Sequence, residues 1–231
     1  MDALPPEGGL LSLEDSDLCR DLSAQQIALL QAAAQPRLYA AGEALVRQGG
    51  AIDAVYLPCS GSIMVERSGS NGQRQVLAFL QRGYFLGFNT GDRYLSSAVA
   101  LEPSHTLRFP IQQFEQLKTD IPVLRDNVGR ISNVVLARAL DHVFAVGQKR
   151  AHARLAFVLW QLWYRASPDG SQKRLILPMR RVDIGDYLGL TLETTSRAFS
   201  RLRAERVIST PDKSTVVILD IETLQALADV K

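Results

Sequence analysis

The stretch RRVDIGDYLGLTLETTSRAFSRLRAER, residues 180–206, decides the fold of the C-terminal part of this chain. Its first half places Ile184, Tyr187 and Leu188 at i, i+3 and i+4, the spacing of one face of a short helix. Gly189 then ends that helix, because glycine readily adopts the left-handed backbone found at helix C-termini. Thr191 is a favourable N-cap for a second helix. The stretch therefore predicts two helices joined by a tight turn.

The second predicted helix has an apolar face and a polar face. The apolar face consists of Leu192, Phe199 and Leu202, and the polar face of Glu193, Thr194, Ser196, Arg197, Arg201 and Arg203. In a helix-turn-helix the first turns of the second helix enter the major groove of DNA, so we predict that Glu193, Ser196 and Arg197 contact base edges. Arginine donates two hydrogen bonds to guanine, glutamate accepts one from cytosine, and serine bonds to either base. The alternative is a polar face that provides solubility alone.

A second set of polar residues is suited to the sugar-phosphate backbone, which cationic and hydroxyl side chains contact. The residues predicted for this role are Arg180, Arg181, Thr191, Thr194, Arg201, Arg203 and Lys213. Lys213 lies in the turn sequence PDKS, residues 211–214, where a solvated lysine without a ligand is an equal alternative.

Length and composition are those of an ordinary water-soluble protein with room for two small domains. The 231 residues are 46% hydrophobic and 22% charged. The chain contains no apolar run of 18 residues, and its acidic N-terminus lacks the basic region of a signal peptide, so we expect a cytoplasmic protein. Two cysteines, Cys19 and Cys59, are too few for a disulfide framework and are expected to be reduced.

The net charge of +2 is unevenly distributed along the chain. Residues 1–121 have 9 Lys and Arg against 13 Asp and Glu, residues 122–148 have 3 against 2, and residues 149–231 have 14 against 9. Clustered cations contribute much of the affinity for DNA. The basic excess therefore accompanies the helix-turn-helix, and the acidic front part is a poor candidate for DNA contact.

The first 121 residues favour a small β-barrel or jelly roll preceded by a helix. A helix is expected over residues 23–34, with Ser23 as its cap. Short β-rich runs follow at residues 55–57, 62–65 and 75–80, separated by glycine-containing turns.

A long helix is predicted from residue 121 to about residue 147. Its apolar positions recur at intervals of three and four, close to a coiled-coil seam, at Leu124, Val128, Ile131, Val135, Ala139, His142 and Val146. This face either packs on its own barrel or pairs with a second copy of the chain. Another apolar helix is expected over residues 151–164, in which Trp160 and Trp163 are assigned to the core. Strands at residues 176–177 and 215–219 then give a winged helix.

These features together resemble the CRP/FNR superfamily of bacterial transcription regulators. The resemblance of the DNA-binding part rests on the motif DIGDYLGLTxETxSR, residues 183–197. The segments AGEALVRQG, VYLPCSGSI and RQVLAFLQRGYFLG resemble the sensor barrel of that family. Leu192 and Ser196 stand where CRP-like members tend to have Arg and Gly, so the resemblance is to the FNR and FixK branches. Thr195 departs from the usual branched apolar residue.

The resemblance implies an α+β fold with a double-stranded β-helix barrel over residues 1–121, a dimerisation helix over 122–148 and a DNA-binding winged helix-turn-helix over 149–231. It implies a homodimer whose two reading helices, about 34 Å apart, match an inverted repeat of TTGAT half-sites. The seam residues above would then pair the two copies. RNA polymerase is the implied protein partner, and transcription activation the implied outcome.

No cofactor is predicted. Members of the family that bind cyclic AMP use a Gly-Glu pair and an Arg-Ser or Arg-Thr pair, whereas this chain has Phe88 after Gly87 and has Ser96 and Ser97 at the second site. Two cysteines cannot supply the roughly four thiolates of an iron–sulfur cluster. Cys59 is expected to be a small buried residue, and its spacing from His105 is not a haem motif.

Three functional classes remain open from the sequence. The first is a cofactor-free regulator of the FixK type, and the second is a regulator whose barrel pocket binds a small organic molecule or haem. The pocket residues would be Phe85, Phe88, Tyr94, Ser96 and Ser97. The third is an enzyme or nucleotide-binding signalling module, for which no catalytic constellation is visible, since His105, His142 and His152 are scattered.

Overall fold

The computed structural model describes residues 11–87, 91–167 and 170–229. The chain divides into two compact units, residues 1–138 and 139–231, and the division falls inside one long helix. Within the described residues, none of the helices is both long and apolar enough to cross a lipid bilayer.

The first unit is built mainly of antiparallel strands. After a short 3-10 turn at Asp17–Cys19 come α1 (Ala24–Ala33), β1 (Gln35–Tyr39), β2 (Ala44–Val46), β3 (Ala54–Pro58), β4 (Ile63–Ser68), β5 (Arg74–Leu80), β6 (Ser97–Ala100) and β7 (Ser104–Pro110). One sheet has the order β1-β7-β3 and the other the order β2-β6-β4-β5. The strands expected at residues 55–57 and 75–80 lie within β3 and β5, and most of the run at 62–65 lies in β4.

Helix α1 begins where the sequence predicts it. The hydroxyl of Ser23 accepts a hydrogen bond from the backbone N–H of Gln26, and the Gln26 side chain accepts one from the backbone N–H of Ser23. This reciprocal capping box satisfies two N–H groups that have no partner inside the helix.

Strand β3 belongs to two cores because its side chains alternate between the faces of the sheet. Val55 and Leu57 pack in a core with the aromatic rings of Phe85, Phe109 and Phe114. The ring centroids of Phe85 and Phe114 are 5.4 Å apart. Ala54 and Tyr56 point the opposite way, into the barrel interior, with Ile63, Val65, Leu80, Tyr94, Ala98 and Ala100.

Two helices follow the barrel, α2 (Ile111–Asp120) and α3 (Pro122–Gln148). The predicted long helix is therefore present, and Pro122 occupies its first residue, where proline is tolerated. Asn127 of α3 is buried, and its amide donates hydrogen bonds to the carbonyls of Leu18 and Arg20. This side chain ties the segment before α1 to the long helix.

The structure corrects the predicted dimer seam at its start. Leu124 is completely buried in the core of its own unit, so it is not available to a second chain. Val128 and Ile131 are half-buried against the same core. A buried leucine contributes about 1.5–3 kcal/mol of hydrophobic free energy, which is gained here within the unit. Val135 and Val146 are half-buried and Ala139 is exposed, whereas His142 contacts its own unit, as described below.

A different apolar face of α3 is exposed. We call it the exposed stripe, and it consists of Leu136, Leu140, Val143 and Phe144, whose exposed fractions are 59%, 61%, 67% and 56%. Leu136, Leu140 and Val143 follow one another at intervals of four and three residues, the heptad spacing of a coiled-coil seam.

The second unit contains α4 (Ala151–Ala166), β8 (Arg174–Ile176), α5 (Arg181–Leu188), α6 (Leu192–Ala204), β9 (Ile208–Ser209), β10 (Thr215–Ile218) and α7 (Ile221–Ala228). The strand order β8-β10-β9 forms a small antiparallel sheet. β8 begins and ends earlier than residues 176–177, and neither β9 nor α7 is among the elements expected from the sequence.

Helix α4 supplies the core of the second unit. Leu155, Leu159 and Leu162 are buried, Trp163 is 7% exposed, and Trp160 packs against the cluster of Ala145, Phe157 and Ala228. Both tryptophans thus occupy the structural role expected of them.

The two cysteines of the first unit, Cys19 and Cys59, are buried, and burial raises the pKa of each thiol.

Candidate nucleic-acid interface

The turn between α5 and α6 depends on two glycines. Gly189 ends α5 with φ 63° and ψ 39°, the left-handed conformation that the sequence predicts there. The backbone N–H of Leu190 donates to the carbonyl of Gly185. A Cβ at Gly185 would lie 2.8 Å from the Leu190 carbonyl oxygen and 2.9 Å from the Thr195 hydroxyl. The close approach of the two helices therefore requires glycine at that position.

Helix α6 begins at its predicted cap. The Thr191 hydroxyl accepts a hydrogen bond from the backbone N–H of Thr194. Thr195 is fully buried, and its hydroxyl donates to the Thr191 carbonyl at 2.9 Å. The residue that departs from the family pattern is therefore buried in the first turn of α6.

The predicted base-reading residues share one exposed face of α6. Glu193, Ser196 and Arg197 are exposed, whereas Thr195, Ala198, Phe199 and Leu202 are buried. A guanidinium nitrogen of Arg197 lies 3.5 Å from the Thr194 hydroxyl, at the limit of a hydrogen bond. These side chains stand in the first two turns of the helix, where an inserted reading helix meets base edges.

Leu192 corrects the predicted apolar face of this helix. Its side chain is 52% exposed, whereas Phe199 and Leu202, on the same predicted face, are 4% and 0% exposed. An apolar side chain in the first turn is thus available beside Glu193. Apolar contacts of this kind recognise the methyl group of thymine. The substitution of leucine for a polar residue at the front of the helix is the sequence signal that points to this role.

Several predicted phosphate-binding residues also make contacts within the protein. Arg180 donates to both carboxylate oxygens of the buried Asp183, and the Arg180 backbone N–H donates to the same group. Arg201 pairs with Glu205 at 2.8 Å and lies 3.2 Å from Nδ1 of His152. These two arginines stabilise helix ends in addition to any contact with DNA.

Arg203 and Arg181 contact neutral groups, whereas Arg180 and Arg201 pair with carboxylates. Arg203 donates hydrogen bonds to the hydroxyls of Ser200 and Thr210. Arg181 lies over the ring of Phe199, with its Cζ 3.3 Å from the ring centroid. Burial and, to a lesser extent, the charge of Arg203 lower the pKa of Arg181 to about 10. No local sequence pattern predicts the contact between Arg181 and Phe199.

The turn between β9 and β10 is rigidly capped. The Asp212 carboxylate accepts hydrogen bonds from the backbone N–H groups of Ser214 and Thr215 and from the Ser214 hydroxyl. Hydrogen bonding from the side chain of Thr215, together with that from Ser214, lowers the pKa of Asp212 to about 2. Lys213 is exposed at the tip of this wing. Its ammonium group is therefore available to solvent or to a phosphate.

The residues predicted to line one effector pocket do not line a common space. Phe85 is 4% exposed and belongs to the core with Phe114, whereas Tyr94 is 7% exposed and belongs to the barrel interior. Ser97 accepts a hydrogen bond from the backbone N–H of Gln48, and Ser96 is half-buried. Phe88 lies outside the described residues. The pocket prediction is therefore wrong in its pairing of Phe85 with Tyr94.

Tyr94 fills part of the barrel interior and is held at its hydroxyl. That oxygen lies 2.9 Å from the Asp53 carboxylate and 2.9 Å from the Ala54 carbonyl. Asp53 in turn pairs with Arg108 at 2.7 Å. Serine hydroxyls at residues 96 and 97 carry no charge, so these residues do not fit a cyclic phosphate.

Each of the two units matches a known protein family. Residues 36–120 match the model of the cyclic nucleotide-binding domain, and residues 153–227 match that of the Crp-like helix-turn-helix domain. The nitrogen fixation regulation protein FixK of Rhizobium meliloti (strain 1021) is 32% identical over 84% of this chain and 89% of its own length. The fumarate and nitrate reduction regulatory protein of Vibrio cholerae is 33% identical over 82% of this chain and 76% of its own length.

A solved structure has the same architecture. The structure of FixK2 from Bradyrhizobium japonicum superposes with a TM-score of 0.79 at 27% identity, covering 86% of this chain and 98% of that one. The predicted α+β fold with a barrel and a C-terminal helix-turn-helix is confirmed. The chain belongs to the CRP/FNR family of DNA-binding transcription regulators and falls in its FixK-like branch.

Proposed function

We propose that this regulator binds, as a homodimer, an inverted repeat of TTGAT half-sites and activates transcription together with RNA polymerase. The observation that carries the proposal is the exposed face of α6, on which Glu193, Ser196 and Arg197 stand within two turns of a capped N-terminus. Arginine suits the guanine and glutamate the cytosine of such a half-site. Leu192, exposed beside them, supplies an apolar contact for thymine methyl groups.

The phosphate contacts of this proposal fall to Arg181, Arg203, Thr191, Thr194 and Lys213, with Arg180 and Arg201 as further cations at helix ends. Phosphate contacts provide affinity but carry no sequence information. The acidic first 121 residues are assigned to a sensor-type domain, residues 122–148 to dimerisation and residues 149–231 to DNA binding.

The proposed dimer contact is the exposed stripe of α3. Leu136, Leu140 and Val143 follow the heptad spacing, and each is more than half exposed in the single chain. A second copy of α3 is the expected partner, because a two-fold axis along this helix gives two reading helices the symmetry of an inverted repeat. The seam is thus displaced from Leu124, Val128 and Ile131 to the neighbouring face of the same helix.

We propose further that no cyclic nucleotide, iron–sulfur cluster or haem is required for DNA binding. The chemistry of Ser96 and Ser97, the two cysteines of the whole sequence and the internally bonded Tyr94 support this view. The purified protein should then bind DNA without an added effector. Native mass spectrometry and an absorption spectrum test the point, since a bound small molecule or a haem band would contradict it.

The test of the function is a titration of the purified protein with two DNA duplexes at one salt concentration. One duplex carries two TTGAT half-sites in inverted repeat with centres one helical turn apart, and the other has the G·C pair of each half-site reversed. Each mismatched pair costs about 1–3 kcal/mol, so the two reversed pairs together should weaken binding by at least roughly thirtyfold. Equal affinity would contradict base reading. Transcription from a promoter with this site, with and without the protein, tests activation.

A further inference from the structure

Arg181 and Phe199 form a cation–π contact between the first residue of α5 and the middle of α6. The guanidinium carbon lies 3.3 Å from the ring centroid, closer than the roughly 6 Å limit of such contacts. Phe199 is only 4% exposed. Arg181 covers one face of its ring. The stack fixes the plane of a long side chain that would otherwise be free to rotate.

The structure shows no carboxylate partner for this guanidinium among the residues that it describes. Among the described residues, Nη1 of Arg181 is buried and has no hydrogen-bond partner, and no carboxylate forms an ion pair with the side chain. Arg203 is its charged neighbour, and the two cations repel each other, which contributes to the lowered pKa of Arg181. At about 10 that pKa still leaves Arg181 charged at neutral pH.

Arg203 is itself held in place. Its guanidinium donates to the Ser200 hydroxyl at 2.9 Å and to the Thr210 hydroxyl at 3.4 Å, both of them neutral partners. Two guanidinium groups, one fixed by a ring and one by hydroxyls, therefore stand within electrostatic reach of each other. A shared anion would remove their repulsion, and arginine is well suited to bind phosphate oxygens in pairs.

We propose that Phe199 is a positioning residue that holds the Arg181 guanidinium beside Arg203, so that the pair receives one phosphate of the DNA backbone. The inference rests on the proposed DNA binding and deepens it, since it assigns part of the sequence-independent affinity to a ring that does not touch DNA. The competing role for Phe199 is packing alone, as for any buried aromatic residue.

A double-mutant cycle separates the two roles. Phe199→Met keeps an apolar side chain of similar size but removes the ring, and Arg181→Gln removes the charge. We expect Phe199→Met to weaken binding to specific and non-specific duplexes alike, by about three- to tenfold. Because the homodimer has two copies of Arg181, Arg181→Gln should weaken both and reduce the slope of log K against log salt by about two. In the Arg181→Gln background, Phe199→Met should have no further effect on affinity.

Phe157→Met is the matched control, because Phe157 is equally buried in the same unit but packs on Ala145 and Ala228. It should lower the melting temperature as Phe199→Met does and leave affinity and salt slope unchanged. Phe199→Leu provides a second ring-free variant, and circular dichroism verifies folding of each protein.

The proposal is overturned if Phe199→Met costs the same affinity with and without Arg181, or if Arg181→Gln leaves the salt slope unchanged. It falls together with the proposed function if the wild-type protein binds no duplex. If the wild type prefers the TTGAT repeat but the effects of the two substitutions on affinity are additive, the proposed function stands. Only the positioning role of Phe199 is then rejected.

Discussion

His142 of α3 and Tyr187 of α5 stack with their ring centroids 4.0 Å apart and their planes inclined by 22°. Both residues belong to the second unit, so the last turns of the long helix are fixed to the first helix of the helix-turn-helix. Nδ1 of His142 is buried without a hydrogen-bond partner among the described residues. The sequence placed His142 in a dimer seam, whereas its ring contacts its own chain.

The stack predicts a loss of stability in mild acid. Burial lowers the pKa of His142, although a hydrogen bond to the Tyr187 backbone acts in the opposite direction. The folded state therefore takes up a proton less readily than the unfolded state, whose histidine pKa is about 6.5. The contribution of His142 to the free energy of unfolding should be constant well above that pH and fall as the pH drops through and below it. Burial raises the pKa of Tyr187 to about 12, and Arg165 lies near it, so neither changes charge in this range.

His142→Phe tests this prediction because it keeps an aromatic ring without a titrating group. Between pH 7.5 and 5.5 the variant should lose less unfolding free energy in urea than the wild type. The exposed His105 provides the control, and His105→Gln should lose as much as the wild type. His152 is retained in all three proteins, so its contribution cancels in the comparison. Equal losses in wild type and His142→Phe would show that the stack is not the acid-sensitive element.

The exposed stripe predicts where a charge breaks the dimer. Leu140→Asp places a carboxylate on a residue that is 61% exposed in the single chain, so the fold should be retained. In a dimer the same carboxylate would be buried without a partner, at a cost of several kcal/mol. Sedimentation should therefore show a monomer, and affinity for the full inverted repeat should fall although α6 is unchanged. Leu219→Asp, at a residue 51% exposed elsewhere, should remain dimeric. A dimeric Leu140→Asp protein with full affinity would move the contact to another surface.

Arg197 predicts a loss of both affinity and selectivity. Replacing it by alanine removes a side chain suited to guanine O6 and N7, so affinity for the TTGAT repeat should fall by about 1–3 kcal/mol for each half-site. The preference for the G·C pair over its reversal should shrink at the same time. Arg125→Ala, which removes an exposed charge from α3, serves as the comparison in the same titration. Unchanged affinity and unchanged preference would exclude Arg197 from base reading.

Leu192 predicts a dependence on the thymine methyl group. Duplexes with uracil in place of thymine lack that methyl group, and each lost contact is worth about 0.8 kcal/mol, roughly fourfold in affinity for each half-site. The wild type should distinguish the two duplexes, whereas Leu192→Ser should bind them equally. Because Leu192 is 52% exposed, the substitution should change unfolding free energy by less than about 0.5 kcal/mol. Equal binding of both duplexes by the wild type would show that no methyl group is read.

The local elements of the reading unit followed from the sequence alone. Gly189 ends α5, Thr191 caps α6, and Ser23 caps α1, each in agreement with its predicted role. Such features are encoded locally because the terminating backbone conformation or the capping hydroxyl lies within a few residues of the groups it satisfies. The division of the second predicted helix into buried and exposed positions was also correct for Glu193, Ser196, Arg197 and Phe199.

The sequence could not decide which neighbour covers each apolar side chain. Periodicity places Leu124 and Ile131 on one face of α3 and Leu136 and Leu140 on another, and both faces are apolar. Packing within the first unit buries Leu124 and half-buries Ile131. Leu136 and Leu140 remain exposed. In the same way, Phe85 and Tyr94 belong to separate cores, which lie on opposite faces of β3. The fold of the chain after Leu80 decides which core each of them enters. Contacts between residues far apart in sequence depend on how whole elements pack, and a local pattern carries no information about that arrangement. The sequence by itself therefore determined the helices, their caps and the chemistry of the reading face, whereas the tertiary structure decided which apolar face remains for a partner and which ring supports Arg181.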